Sequence, residues 1–241
     1  MKRFVSISRI FLLVLGILLY YFFVFKGING WYYFDMSYLK CVIYMLLLCL
    51  ILFSSSIFKN EERTYKNSIN LYIILFLILL YSFTFVIGRP GIYFYKKWYY
   101  SQLVPFDTIK SIFKYGSRYE ILKNIIGNLI TLIPLSFLLM LRNDKFKNIF
   151  LQALVIIPVI MAIELFQGFT HTGTFDVDDI ILNYLGTLVF TLLIRCFHLI
   201  DKIKLLFYKD FNLKEKTKFW IYLVSIILFI LFVIFIFINK M

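Results

Sequence analysis

The residues equipped for chemistry in this chain are the amides and carboxylates that stand inside otherwise apolar runs. They are Asn124 and Asn128, then Glu164 and Gln167, then Asp176, Asp178, Asp179 and Asn183. Glu164 and Gln167 are three apart, so on a helix they share a face. Asp176, Asp179, Asn183 and Gly186 follow at steps of three, four and three, which draws one stripe from which Asp178 turns away. Gly186 leaves that stripe room for a close helix neighbour. Two chemistries suit such a set. Amides and carboxylates can hydrogen-bond the polar part of a ligand, or the hard oxygens of Asp176 and Asp179, with Glu164, can hold Mg²⁺ or Ca²⁺ over a lipid phosphate or pyrophosphate. The structural alternative is that acids at 176–179 cap the free amides of a new helix and favour its dipole, at about 0.3–1 kcal/mol each. Capping suffices for Asp178. It does not explain Glu164, Asp179 and Asn183, which lie one to two turns inside a span, where a charge costs a few kcal/mol and marks a site.

The elements that must position these groups are membrane helices. Of the 241 residues 62% are apolar and 21% aromatic, well above the about 45–50% apolar content of a soluble domain. Spanning about 30 Å of hydrocarbon takes roughly 20 helical residues, and seven stretches qualify, at about 9–26, 39–58, 69–88, 121–141, 148–168, 177–199 and 219–238. The expected fold is therefore all-α, a polytopic transmembrane bundle of about seven spans. The first run follows Lys2, Arg3 and Arg9 and reads as a retained anchor, since no small-residue cleavage site follows Phe25. Pro134 and Pro158 fall inside spans four and five and are expected to kink them.

The net charge of +13 gathers at the ends of apolar runs, which speaks for lipid headgroups and orientation and not for nucleic acid. With the N-terminus in the cytoplasm, the basic links carrying Lys59, Arg63 and Lys66, then Arg142, Lys145 and Lys147, then Arg195 through Lys218, all face inward. The link 169–176 carries no Lys or Arg and faces outward. The loop near 89–120 also faces outward although it holds Arg89, Lys96, Lys97, Lys110, Lys114 and Arg118. Its second half places Phe106, Ile109, Ile112 and Phe113 on one stripe beside Lys110 and Lys114, the pattern of a helix lying in the headgroup layer, with Trp98, Tyr99 and Tyr100 at the same interface. By the 1.5 Å rise per residue, Asn128, Glu164 and Asn183 lie about 12, 6 and 10 Å inside their outward ends, so they can meet at one level of the outer half-bilayer. Arg89 is a candidate cationic partner for Glu164.

Cys41, Cys49 and Cys196 lie in apolar runs without a Cys-x-x-Cys and read as buried small hydrophobes. His171 and His198 are isolated. Hydrolase, zincin and nucleotide-binding motifs are missing, and no cofactor is expected. An ion-coupled carrier, prompted by Glu164, is disfavoured by the lack of repeats or paired broken helices.

Asn128-Leu-Ile-Thr-Leu-Ile-Pro134-Leu-Ser136, Ile163-Glu164-Leu-Phe-Gln167 and Gly173-Thr-Phe175-Asp176-Val-Asp178-Asp179-Ile-Ile-Leu-Asn183-Tyr-Leu-Gly186 together resemble the VanZ-like family. Leu103-Val-Pro105-Phe106 resembles that family's outer-loop motif, so the likeness runs over roughly 70–200. Ser136 and Phe190 stand where the family pattern favours glycine, which bears on helix contact distances. The resemblance implies a multi-pass protein of the bacterial plasma membrane, of a family whose namesake lowers susceptibility to teicoplanin. The chain then divides into two N-terminal spans and a link (1–68), the VanZ-like membrane domain (69–200), and a basic link with a last span (201–241). The expected partners are membrane lipids and a lipid-linked cell-wall precursor or lipoglycopeptide. Binding would fall to Asn128, Glu164, Gln167, Asp176, Asp179 and Asn183. The competing expectation is a metal-dependent enzyme acting on a polyprenyl-phosphate lipid, with Asp176 and Asp179 as metal ligands.

Overall fold

A computed structural model describes residues 2–25, 38–57, 62–86, 101–208 and 213–238. Arg89, Lys96, Lys97 and Trp98 to Tyr100, assigned above to the outer loop and its interface, lie outside the described residues, as does Lys59. Among the described residues the chain is almost wholly helical, and six helices are long and apolar enough to cross a membrane. The helix α1 (Lys2–Phe25) lies at the first expected span, and its apolar stretch, Ile7–Tyr21, is shorter than those six. The protein is thus a polytopic membrane bundle, as composition and run length require. It forms two compact units, residues 1–90 with 207–241, and residues 91–206.

In the first unit α2 (Tyr38–Ser56) is the central helix, packed against α1, α3 (Glu62–Tyr81) and α11 (Glu215–Ile238). Small and hydroxylated residues bring these helices together, as expected where no water exists to drive association. Tyr44 Oη donates to the Gly16 carbonyl at 2.7 Å, and the Tyr44 ring meets Tyr20 and Phe229 at 5.5 and 5.1 Å. The Ser54 and Ser225 hydroxyls pair at 2.8 Å between α2 and α11. Cys41 is buried in this packing and Cys49 half-buried, whereas Cys196 is exposed. The expectation of burial fails for Cys196, which lies on the exposed side of the last turn of its helix while Ile194 in the same turn is buried.

In the second unit α9 (Val177–Cys196) is the centre, packed on α6 (Gly127–Thr131), α7 (Ile133–Arg142) and α8 (Ile149–Thr170). The fourth span is not one regular helix. It opens at α5 (Arg118–Glu120) on a capping box in which Ser117 Oγ accepts from the Glu120 amide and Glu120 Oε2 from the Ser117 amide. It widens into π-type turns over Ile121–Ile126, and after α6 it breaks at Leu132 before resuming with Pro134 in the first turn of α7. Pro134 therefore interrupts its span as expected. Helix α8 runs unbroken across Pro158.

The all-α expectation has one small exception. Two residues, β1 (Ser101–Gln102), pair in parallel with β2 (Phe175–Asp176). After β1 comes α4 (Asp107–Tyr115), the amphipathic helix foreseen from the Phe106, Ile109, Ile112 and Phe113 stripe. Helix α10 (Leu199–Tyr208) follows α9.

Deep in this unit lies a polar knot that joins three spans. Gln152 Nε2 donates to Ser136 Oγ at 2.8 Å, Thr191 Oγ1 donates to Gln152 Oε1 at 2.7 Å, and the Ser136 and Thr191 hydroxyls lie 3.1 Å apart. All three residues are buried. Interhelical bonds of this kind are worth about 0.6 kcal/mol each on average in a membrane, so their value lies as much in fixing helix register as in stability. Ser136 thus supplies a hydroxyl to α8 and α9. Phe190 makes an edge-on contact with Phe137 at 6.3 Å.

Candidate functional site

The site is built where α8 ends and α9 begins. Helix α8 stops at His171, which takes a left-handed conformation (φ 53), and a four-residue turn leads to β2. Glu164, 3% exposed, reaches from the second-last turn of α8 to accept the Asp176 amide on Oε2 at 3.2 Å. Asp176 is also buried and caps α9, its Oδ1 accepting the Asp178 amide at 2.8 Å. One turn on, Asp179 accepts a short hydrogen bond from Asn128 Nδ2 of α6. Asn183 Nδ2 donates to the Asp179 carbonyl at 2.8 Å. Spans four, five and six are therefore joined through polar side chains near one end. Of Asn128, Glu164 and Asn183, expected to meet at one level, the first two reach the start of α9 through Asp179 and the Asp176 amide, and Asn183 bonds within α9 itself.

The close approach behind the Asn128 to Asp179 bond depends on Gly186. A Cβ there would overlap the Leu129 carbonyl and come within 2.9 Å of Leu129 Cα, backbone atoms that cannot swing aside. Gln167 is on the same helix as Glu164 but makes no side-chain hydrogen bond among the described residues. It lies half-buried against Gly173, whose added Cβ would sit 3.2 Å from Gln167 Cδ. Asn124, in the widened part of the fourth span, likewise makes no side-chain hydrogen bond among the described residues.

Asp178 differs most from its sequence reading. It was expected to cap the start of its own helix. Instead it is fully buried, 0% exposed, and its two oxygens accept the amides of Phe106 at 2.5 Å and Ile109 at 3.0 Å. It caps a different helix, α4, from 72 residues away in the chain. Phe106 has φ 67, a left-handed conformation that a non-glycine residue adopts at a cost of about 1–3 kcal/mol unless its surroundings hold it there. The Asp178 carboxylate and the β1 to β2 pairing on the other side of the loop supply that hold. Gln102 Nε2 adds a 2.6 Å bond to Asp107 Oδ2 across the same turn. No local sequence signal marked this latch, because its partners come from a distant loop.

Chemically the site is rich in acceptors. Glu164, Asp176, Asp178 and Asp179 form no ion pair with a described lysine or arginine, and their donors are amides. Arg89, the cationic partner considered for Glu164, lies outside the described residues. Asp176 and Asp179 point their carboxylates at separate partners, and among the described residues no group of three or more His, Cys, Asp or Glu is arranged to hold a metal ion.

A helical bundle with polar groups of three spans gathered near one membrane boundary is the class of protein that fold and site define. The chain belongs to the VanZ/LLP1 family, whose model matches residues 40–200. The match extends beyond the motif-bearing segment to include α2, which the motifs alone had left outside. No curated protein matches the chain. No solved structure matches it.

Proposed function

We propose that this VanZ-like membrane protein binds a lipid-linked or lipophilic ligand at the outer leaflet of a bacterial plasma membrane, and that reduced susceptibility to teicoplanin-type lipoglycopeptides is the resulting phenotype. The observation that carries the reading is the burial of Glu164 and Asp176 beside Asp179, in spans, without a cationic partner among the described residues. Burying carboxylates in hydrocarbon costs several kcal/mol and is retained where it serves a purpose. A site of acceptors selects a ligand that brings donors, such as the hydroxyls and amides of a sugar-peptide head, while the surrounding bilayer takes the ligand's apolar part. Gln167, with its amide uncommitted, is the side chain placed to make the first such bond.

In a teicoplanin-sensitive bacterial host, the wild type is expected to raise the inhibitory concentration several-fold. Glu164→Gln and Asp179→Asn, at equal membrane abundance by immunoblot, are expected to lose that protection. Equal protection by all three forms would detach the phenotype from the polar site. The orientation has its own check. Gly173→Cys, in a chain whose Cys196 is replaced by alanine, is expected to react with a membrane-impermeant maleimide in intact cells, since 169–176 carries no basic residue and Gln167 can shift to admit the new side chain. Labelling confined to permeabilised cells would place the site on the cytoplasmic side.

A further inference from the structure

The far end of the second unit carries a feature that the polar site does not use. Between the start of α8 and the end of α9 lies a cavity of about 380 Å³ lined by Lys147, Asn148, Ile149, Phe150 and Arg195. A smaller one of about 170 Å³ shares Lys147 and Arg195 and continues to His198 and Asp201. Both sit where basic links meet apolar spans, at a membrane boundary.

The charges around them are unequal. Lys147 Nζ is 2.8 Å from Asp144 and 2.5 Å from Asp201, and Lys204 Nζ is 2.9 Å from Asp144. Two lysines thus balance two aspartates, and hydrogen bonds from Lys147 and Lys204 hold the Asp144 carboxyl below its ordinary range. This lattice of ion pairs ties the 143–148 link to α10 and fixes the Lys147 ammonium at the cavity wall. Arg195 stands outside the lattice. It is exposed and forms no ion pair among the described residues, so it leaves one uncompensated cation at the cavity. Below the rim, Phe150 and Leu154 are 82% and 72% exposed and stand four apart on one face of α8, an apolar track leading from the cavity into the hydrocarbon.

We infer that this cavity binds the phosphate headgroup of an anionic phospholipid, with Arg195 as its principal ligand, Lys147 and Asn148 as further donors, and an acyl chain along Phe150 and Leu154. A guanidinium suits phosphate because its planar fork can offer two parallel donors. The lipid is favoured over a free phosphate by the apolar track, which a soluble ion has no means to use. Basic pockets between membrane helices at the boundary are where such headgroups are recognised.

The test uses the full-length protein in neutral detergent, titrated with dioleoylphosphatidylglycerol or dioleoylphosphatidylcholine and followed by native mass spectrometry. The wild type is expected to retain the anionic lipid in preference to the zwitterionic one. Arg195→Gln is expected to weaken that retention about fivefold, the equivalent of about 1 kcal/mol for one basic residue near a charged lipid surface. Arg195→Lys should keep most of the preference, and Lys114→Gln, a lysine of α4 that lines neither cavity, should lower it by less than Arg195→Gln does. Arg195 is exposed in the last turn of its helix, so these variants are expected to fold. Equal retention of the two lipids, an unaltered preference in Arg195→Gln, or an equal loss in Lys114→Gln would each overturn the assignment. Displacement of the anionic lipid by millimolar inorganic phosphate would overturn it in favour of a soluble anion.

Discussion

Gly186→Ala is expected to cost the protein about 2–3 kcal/mol, near the top of the range for adding one methyl group to a packed contact. The reason is what the methyl group would meet. Around Gly16 of α1 an added Cβ would press on the end of the Leu48 side chain, which can turn away. At Gly186 it would enter the Leu129 carbonyl and its Cα, so α6 and α9 must separate. Separation breaks the bond from Asn128 to Asp179, so site and stability fall together. Gly127→Ala is the matched control. Its Cβ would meet only the Leu122 carbonyl, at 3.8 Å, and alanine is favoured over glycine in a helix by about 0.8–1.0 kcal/mol. Thermal unfolding in detergent is expected to show a lower midpoint for Gly186→Ala and an equal or higher one for Gly127→Ala. Equal midpoints for wild type and Gly186→Ala would show that the two helices do not depend on contact at this point.

How much of this was readable in advance follows from the range of the interactions. Spans are readable because hydrocarbon thickness imposes a length and a composition on every one of them, and α2, α8, α9 and α11 fall close to their expected positions, whereas α3 starts and ends about two turns earlier than expected. The stripe Asp176, Asp179, Asn183, Gly186 is readable because helical period alone decides which residues share a face. Partner choice across helices has no such period. Ser136, Gln152 and Thr191 are each unremarkable polar residues in an apolar run, and only the packing of α7, α8 and α9 makes them one knot. The break at Leu132 was signalled by Pro134, whereas the π-type turns over Ile121–Ile126 have no residue of their own to announce them. The β1 to β2 bridge is two residues long on each side, too short to leave an alternation in the sequence. The lipid cavity arises from residues at the start of one span and the end of the next, and spacing within either span says nothing of it.

Asp178 illustrates the same limit and sets the largest expected local effect. Acids at the start of a helix generally cap that helix, and Asp176 does so, which frees Asp178 to serve another. Hydrogen bonds to a charged acceptor contribute about 1.5–3 kcal/mol each, and Asp178 accepts two from buried or half-buried amides of the α4 entry. Asp178→Ala is therefore expected to release Phe106 from its left-handed conformation and loosen the segment from Ser101 to Tyr115. Hydrogen exchange read by mass spectrometry on the full-length protein should show peptides from this segment exchanging about 100-fold faster, the equivalent of about 3 kcal/mol. Peptides from α7 and the middle of α8 should keep their protection. Asp178→Asn should fall in between, because one of its side-chain atoms still accepts while the other becomes a donor aimed at a second donor. Unchanged exchange in Asp178→Ala would mean that the β1 to β2 pairing alone anchors the loop. The distinction matters for the proposed ligand site, since Asp176 closes both arrangements: its backbone amide donates to Glu164 and its residue pairs with Gln102. A loop that depends on Asp178 couples the α4 helix to the acidic cluster through Asp176, two residues before it, whose carboxylate accepts the Asp178 amide. Loosening it is then expected to weaken the ligand binding proposed for that cluster, although the Asp178 carboxylate itself accepts only backbone amides among the described residues.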